Sequence, residues 1–350
     1  MADDIPLNLF EQQAKNRRQT TLWMVAFVLF FAWLGFGGDL AAYVASLDAY
    51  GVHRYRVPWI GIIVTVVGAL VTWRAFAKGP QRVLWASGAK EIVTPQTDEE
   101  RQLRNVVEEM AIAASLPMPK VYIIDDPDPN AFATGHGPED ACIAATTGLV
   151  KALNREELQA VVGHEMGHVQ NLDVRLMTTI AALVGFIVLM SDGLGRMMRG
   201  GLFNFGGGSR GSSRSSSKSS GGGAGAAIAL IILVLWIISL ILAPIIVRLM
   251  AMAVSRNREY LADATGAQFT RNPGALASAL QKIDAAAEPT KSIKRSAAHL
   301  CIADPLGRSV NLKEGRLANL FGTHPPMAMR ITRLKGMAFQ SAKMAGELPA

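Results

Sequence analysis

The chain has 350 residues, half of them hydrophobic and only 18% charged, whereas roughly 25% is usual in soluble domains. This composition and the mean hydropathy of +0.24 indicate a chain that lies only partly in water. The net charge of +7 suits a lipid bilayer with anionic headgroups, and no stripe of basic and aromatic residues supports a nucleic-acid partner. The two cysteines, Cys142 and Cys301, argue against a disulfide framework and predict buried thiols in a reducing compartment.

Two apolar runs near the N-terminus predict a transmembrane hairpin at 20–73. Residues 1–19 are interpreted as a polar cytoplasmic tail, and the run at 20–40 has the roughly 20 residues that a membrane helix needs. A cleaved signal peptide is the less favoured alternative, because no small-x-small cleavage site follows the run cleanly. The second run is 57–73, and basic residues outside both ends of the hairpin predict that these ends are cytoplasmic.

The pattern then becomes that of a folded domain exposed to water. A helix is predicted at 98–115, and a second helix starts after Asn154, where Glu157 makes a capping box available. Short runs bounded by turn residues predict three strands between these helices, at 121–124, 131–134 and 142–146.

The second helix carries the most informative motif of the chain, His164-Glu165-Met166-Gly167-His168. Histidines four apart lie on the same face of a helix, so both can reach a single Zn²⁺. Glu165 lies beside that face, where its carboxylate can take a proton from a metal-bound water. Because this pattern arises by chance on the order of once in a hundred chains of this size, it indicates a metallopeptidase.

A catalytic zinc needs a third protein ligand, and Glu259 is the best candidate. Asp263 follows one turn later on the same face and can accept the second ring N–H of a liganding histidine. The alternative is that Glu259 pairs with Arg256 or Arg258 on a solvated helix, and its spacing alone leaves both roles open. His324 stands before two prolines, and the local sequence favours a structural histidine over an oxyanion donor.

Two further membrane spans are predicted in the second half of the chain, although the first, at 176–190, is short enough for a buried core helix. The second is 226–247, and the Gly/Ser-rich segment 191–225 between them is predicted to be a flexible loop. Ligands of one metal must lie on the same side of the membrane, so an even number of crossings must separate them. Two crossings place the basic loop opposite the cytoplasm, against the tendency of positively charged loops to be cytoplasmic. The flanking segments are the two parts of the predicted catalytic domain, 74–175 and 248–350.

Six segments carry motifs that occur in the order of a known family, namely 116–122, 129–135, 146–149, 164–168, 255–263 and 323–326. They resemble the motifs of the HtpX membrane metalloproteases, in the peptidase family that also contains the CAAX prenyl endoproteases. The resemblance runs from about residue 100 to 340. Together with the predicted spans, it implies a mainly α integral membrane protein with about four transmembrane helices and a zincin-like α+β catalytic domain that contains a small β-sheet.

The resemblance implies roles for particular residues. One Zn²⁺ per subunit would be held by His164, His168 and Glu259, with Glu165 as the catalytic base. His324 becomes a transition-state contact, which reverses the preference from its local sequence. The substrate backbone would pair with a strand formed by Asn130, Ala131, Phe132 and Ala133.

The expected function is a zinc endopeptidase, multi-pass in the inner (plasma) membrane, whose catalytic domain faces the cytosol. Its partners would be polypeptide substrates, namely misfolded or damaged membrane proteins, in quality control and stress response. One alternative is a site-specific prenyl-protein endoprotease, which needs a chamber for the lipid tail. Another is a non-catalytic membrane adaptor whose structural zinc needs a fourth protein ligand. A transporter is less favoured because the predicted spans carry almost no ionisable residues.

Overall fold

The structure is a computed structural model and divides into two compact units. The larger unit comprises 1–23, 74–185 and 248–350, and the smaller comprises 24–73 and 186–247. Within them, the structure describes residues 9–46, 55, 57–185, 231, 234–236, 238, 256–286, 290, 292–293, 300–303 and 325–344.

The described chain is mainly helical. Two helices, over Phe10–Val44 and Trp59–Ala86, are long and apolar enough to cross a membrane. Residues 173–185 are also helical. The labelled helices are α1 Leu9–Ala45, α2 Trp59–Ala86, α3 Asp98–Ala114, α4 Thr147–Ala152, α5 Arg155–Gln170, α6 Arg256–Thr270, α7 Pro273–Ala285 and α8 Met327–Met344. The strands are β1 Lys90–Glu91, β2 Lys120–Ile124, β3 Ala131–Thr134 and β4 Cys142–Thr146.

The smaller unit contains the close packing of α1 against α2. A Cβ added to Gly35 would lie 2.8 Å from the Cα of Gly61, so the two backbones approach as closely as small residues permit. The carboxylate of Asp39 in α1 accepts hydrogen bonds from the amides of Ile60 and Gly61, which caps the start of α2. Tyr55 donates its hydroxyl to the same carboxylate. Asp39 is thus a structural cap at the turn of the predicted hairpin.

A four-stranded mixed sheet lies in the larger unit, in the order β1-β2-β4-β3. β2 and β4 are parallel, while β1 and β3 pair antiparallel to their neighbours. Helices α3 and α5 pack against it, and their apolar side chains share one core with the strands. The three predicted strands match β2, β3 and β4 within one residue, whereas β1 and α4 were not predicted.

The start of α5 follows the predicted capping box. The Asn154 side chain accepts a hydrogen bond from the Glu157 amide, and the Glu157 carboxylate accepts one from the Asn154 amide, both 2.9 Å long. Such a cap stabilises a helix by about 1 kcal/mol. Glu157 also contacts Lys282 and Ser278 on α7 at 2.6 and 2.7 Å, which ties the beginning of α5 to a second helix.

Two segments differ from their expectations. Residues 9–19 are the first turns of α1 rather than a polar tail, and Gln12, Asn16 and Thr20 form a buried stripe at helical spacing. In the predicted third span, residues 176–184 are helical and buried within the larger unit. The rest of that span, the predicted loop and most of the predicted fourth span lie outside the described residues.

Candidate metal and active site

Small residues bring α5 and α6 into close contact. Gly163 and Gly167 of α5 face Ala262 and Gly266 of α6, and a Cβ added to Gly266 would lie 2.7 Å from the backbone nitrogen of His164. No real side chain tolerates that separation, so glycine is required for the two helices to pack at this distance. The approach brings the beginning of α6 beside the histidine-bearing face of α5.

The close packing places His164, His168 and Glu259 around one point. One ligand atom from each lies within 4.8 Å of the other two, and all three residues are buried. Nε2 of His164 is 3.8 Å from Oε2 of Glu259, and Nε2 of His168 is 3.6 Å from Oε1. Ligand atoms about 2.1 Å from a tetrahedral zinc ion are themselves about 3.4 Å apart, so the spacing suits a zinc-sized ion.

A carboxylate orients each histidine through its other ring nitrogen. Nδ1 of His164 lies 2.9 Å from Oδ1 of Asp263, and Nδ1 of His168 lies 3.1 Å from Oδ2 of Asp173. These contacts direct both Nε2 atoms toward Glu259, which is the common arrangement behind liganding histidines. Asp263 was among the residues expected at this site, whereas Asp173 was not.

Asp173 reaches His168 because the chain turns sharply after α5. Leu172 has φ of 58°, the left-handed region that a branched side chain rarely adopts. Such a residue costs about 1 kcal/mol or more, so surrounding contacts must hold the turn in place. Helical spacing does not predict this contact, since positions five apart do not share a face. The only local signal is an acidic residue shortly after the motif.

Arg330 in α8 is a second buried group that the sequence analysis missed. Its Nε and Nη2 donate to the two oxygens of Asp263 at 2.9 and 2.6 Å. Nη1 lies 3.5 Å from Oε2 of Glu259, and Nη2 lies 3.5 Å from Nε2 of His164. Burial alone would lower the pKa of Arg330, but the charge of Asp263 outweighs burial and raises it, so the guanidinium stays charged. No local feature separates Arg330 from the exposed Arg333 one turn later.

Glu165 lies beside the three ligand atoms and is 1% exposed. Among the described residues, neither of its carboxylate oxygens accepts a hydrogen bond of ordinary geometry. Burial raises the pKa of Glu165 and outweighs the two histidines, which act in the opposite direction. A carboxylate whose pKa is raised toward neutrality is suited to accept and return a proton.

The buried charges fit a divalent cation. Around the three ligand atoms, the described residues provide four buried carboxylates but only two buried guanidiniums, which leaves two negative charges uncompensated. Bound protons reduce this deficit. Burial alone would lower the pKa of His168, but its hydrogen bond with Asp173 and the nearby carboxylates raise it to about 9. A bound divalent metal ion would displace such protons. The six charged groups are Glu165, Asp173, Glu259, Asp263, Arg258 and Arg330.

The predicted substrate strand is only partly a free edge. The amide of Ile302 donates to the carbonyl of Ala131 at 3.0 Å, and Phe132 forms an antiparallel bridge with Cys301. The side chain of Asn130 donates to Thr290 and to the carbonyl of Ala303 at 3.0 and 3.1 Å. At Ala131 and Phe132, the chain itself therefore supplies the backbone pairing that a substrate was expected to supply, and the side chain of Asn130 is also engaged by this segment. His324 lies outside the described residues.

Two histidines and a glutamate from a second helix, with a carboxylate between the histidines, form the arrangement of the H-E-x-x-H metallopeptidases. Comparison with known proteins agrees with this class. The model of peptidase family M48 matches residues 97–338. A "Protease HtpX homolog" of Lactiplantibacillus plantarum is 43% identical over 338 residues, and one of Lactobacillus helveticus is 39% identical over 330. Each alignment covers 94% of this chain and all of the relative.

The chain belongs to peptidase family M48 and is an HtpX-type protease, which confirms the resemblance found in the sequence. Among solved structures, it is similar to the crystal structure of S. mikatae Ste24p, with 21% identity and a TM-score of 0.42. That alignment covers 90% of this chain and 66% of Ste24p.

Proposed function

We propose that the chain is a membrane-bound zinc endopeptidase that cleaves polypeptides at the site formed by α5 and α6. The observation that carries the proposal is the convergence of His164, His168 and Glu259 within 4.8 Å. The carboxylates of Asp263 and Asp173 behind the two histidines support it, because a chance cluster of side chains does not require them.

In the proposed mechanism, Glu165 is the proton carrier. When bound by His164, His168 and Glu259, zinc would supply a Lewis acid and a water whose pKa is lowered to about 7. Glu165 accepts the proton of the attacking water and returns it to the leaving amine, and its raised pKa suits both steps. Its burial keeps bulk water from competing for the proton. His324 is proposed to stabilise the oxyanion, a contribution often worth about 3 kcal/mol.

We propose that β3 binds the substrate as an added strand, read mainly through its backbone. Because Ala131 and Phe132 are already paired with residues 301–302, pairing with the substrate is assigned to the Ala133–Thr134 end of β3. Backbone recognition places few demands on side chains, which suits broad specificity for misfolded or damaged membrane proteins.

The proposed location is the inner membrane, with the larger unit in the cytosol and four spans in total. Two helices of sufficient length and apolarity support the first two spans. The basic residues that flank this hairpin support the cytosolic side. A role in quality control and stress response is proposed from the resemblance to HtpX proteases.

The test replaces Glu165 with glutamine in the full-length protein. Because the ligand set is unchanged, zinc content should stay near one per chain, while cleavage of casein or a model membrane protein should fall by about 10²–10⁴-fold. A chelator should abolish wild-type cleavage, and added zinc should restore it. Elemental analysis and a cleavage assay on the same preparations provide both measurements.

The alternatives predict different results. A Glu165→Gln enzyme that cleaves at the wild-type rate contradicts the mechanism. An adaptor with a structural zinc would hold the metal and show no chelator-sensitive cleavage. A prenyl-protein endoprotease would cleave only prenylated peptides and leave casein intact.

A further inference from the structure

We infer that Asn16, in the second turn of α1, is a positioning residue of the metal site and acts on it through Asp173. The inference rests on the proposed function, because it takes His168 to be a metal ligand. It assigns a role in the active site to the N-terminal segment, which the sequence suggests is only a polar tail.

A continuous chain of hydrogen bonds connects α1 to the metal site. Asn16 is fully buried, and its Nδ2 donates to the carbonyl of Asn171 at 2.8 Å and to Oδ1 of Asp173 at 2.7 Å. The other oxygen of Asp173 lies 3.1 Å from Nδ1 of His168. A single amide group of α1 therefore holds the carboxylate that orients a candidate metal ligand. The same helix contains the first candidate span.

The chemistry of this contact requires an amide. A backbone carbonyl and an ionised carboxylate can only accept hydrogen bonds, and the NH₂ group of asparagine offers two donors. An aspartate of the same shape at position 16 would direct an oxygen at both acceptors. The two bonds also bracket Leu172, whose left-handed backbone needs such support. Asn16 thus holds both the turn and the carboxylate that the turn carries.

The same face of α1 contacts both helices that carry candidate ligands. Gln13 donates to the carbonyl of Gln170 at 2.7 Å, just beyond His168 in the chain. Gln19 accepts from Nη2 of Arg258 at 3.0 Å, directly before Glu259. Positions 13, 16 and 19 are three apart and lie along one side of a helix. Three amide side chains of α1 therefore connect the end of α5 to the beginning of α6.

Asp173 matters to metal binding because it directs the ring of His168. A carboxylate at Nδ1 keeps the proton on that nitrogen and leaves the lone pair of Nε2 for the metal. Without Asn16, Oδ1 of Asp173 loses its amide donor and keeps only the longer contact with Arg258, whose Nε lies 3.8 Å away, so the carboxylate is held less firmly. Loss of such supporting contacts typically weakens metal affinity by about 10–100-fold.

The test measures metal affinity in the full-length protein in detergent. Zn²⁺ is titrated in competition with a chromophoric chelator, and the absorption spectrum of the Co²⁺-substituted protein reports on ligand geometry. Asn16→Ala and Asn16→Asp should each weaken Zn²⁺ binding by about 10–100-fold. Ala14→Asp is the matched control, because position 14 is exposed on the same turn, and its affinity should equal that of the wild type.

A double variant distinguishes positioning through Asp173 from a general loss of packing. Asp173→Asn should weaken binding to a similar extent, and adding Asn16→Ala should weaken it by no more than about twofold further, since coupled residues are not additive. An Asn16→Ala protein within about twofold of the wild type overturns the inference. A full additional loss in the Asp173→Asn background also overturns it.

If Asn16→Ala does not fold, Asn16→Ser is the second variant, because it keeps one short donor and should bind with intermediate affinity. Wild-type affinity in a folded Asn16→Ser protein would count against the inference. A wild-type chain that takes up neither Zn²⁺ nor Co²⁺ overturns the proposed function itself. A wild-type chain that binds them, together with unchanged Asn16 variants, overturns only this role of Asn16.

Discussion

At the scale of single residues, buried ion pairs organise the site. Asp263 is the centre of this network, because it contacts both His164 and Arg330. Burial alone would raise the pKa of Asp263, but the charge and hydrogen bonds of Arg330 lower it to about 2. The carboxylate therefore stays ionised behind His164 at any pH at which the enzyme is expected to work.

Replacing Arg330 with methionine tests this network. The change leaves Asp263 buried beside Glu259 without its cation, and breaking such a pair costs about 3–5 kcal/mol. For a chain of this size, the unfolding midpoint should fall by about 4–7 °C. Thermal unfolding in detergent provides the measurement.

Arg333→Met is the control on the same helix. The guanidinium of Arg333 is exposed and lies 3.9 Å from the ring centre of Tyr260, a contact worth about 0.5–1 kcal/mol. Equal midpoints for the two variants would show that Arg330 does not carry the stabilisation assigned to it.

At the scale of elements, the site depends on how closely α5 and α6 pack. Their contact is made by Gly163, Gly167, Ala262 and Gly266 rather than by large apolar side chains. An ordinary helix pair is about 8–10 Å apart, and small residues permit the lower end of that range. Close approach lets the short side chain of Glu259 reach two histidines on the neighbouring helix.

Gly266→Ala should therefore disturb both stability and metal binding. The new methyl group would meet the backbone of His164 at 2.7 Å, and backbone cannot rotate away as a side chain can. Overpacking of this kind costs about 1–3 kcal/mol, and the displaced α6 should also bind less zinc. Thermal unfolding and zinc content measure the two effects.

Gly336→Ala is the matched control in the interior of α8. A Cβ at Gly336 meets no atom within 4 Å, so this change should leave stability unchanged or raise it by up to about 1 kcal/mol. The packing explanation fails if Gly266→Ala is as stable as Gly336→Ala and keeps its full zinc content.

At the scale of the whole molecule, the two sequence segments that carry the candidate ligands lie in the same unit. Because His168 and Glu259 meet there, any membrane crossings between them must be even in number. The burial of residues 176–184 shows that the first half of the predicted third span lies against protein rather than lipid. Within the described residues, only two helices qualify as candidate spans.

Cysteine labelling tests the proposed four spans. With a membrane-impermeant maleimide, Ser213→Cys in the predicted loop should react in intact spheroplasts, whereas Ser341→Cys on the exposed end of α8 should react only after permeabilisation. The native thiols give little background, because both are buried and burial raises the pKa of Cys142 to about 11. Labelling of both variants only after permeabilisation would contradict the two additional crossings.

The sequence by itself determined the features that depend on neighbours within a few residues. The capping box of Asn154, the strands β2 to β4 and the pairing of His164 with His168 all follow from local spacing, because helix and strand geometry repeat over one to two turns. It also identified the protease family, since several motifs occur in a fixed order.

Only the tertiary structure decided the rest of the site. It brought Glu259 beside the two histidines, and it added Asp173, Arg330 and Asn16. Asn16 and Asp173 are 157 positions apart, and Arg330 and Asp263 are 67 apart. Contacts at such separations depend on which helix faces pack together, and here glycines in α5 and α6 set that packing. Local periodicity identifies the buried face of a helix, but the partner of that face is chosen by the packing of the whole domain.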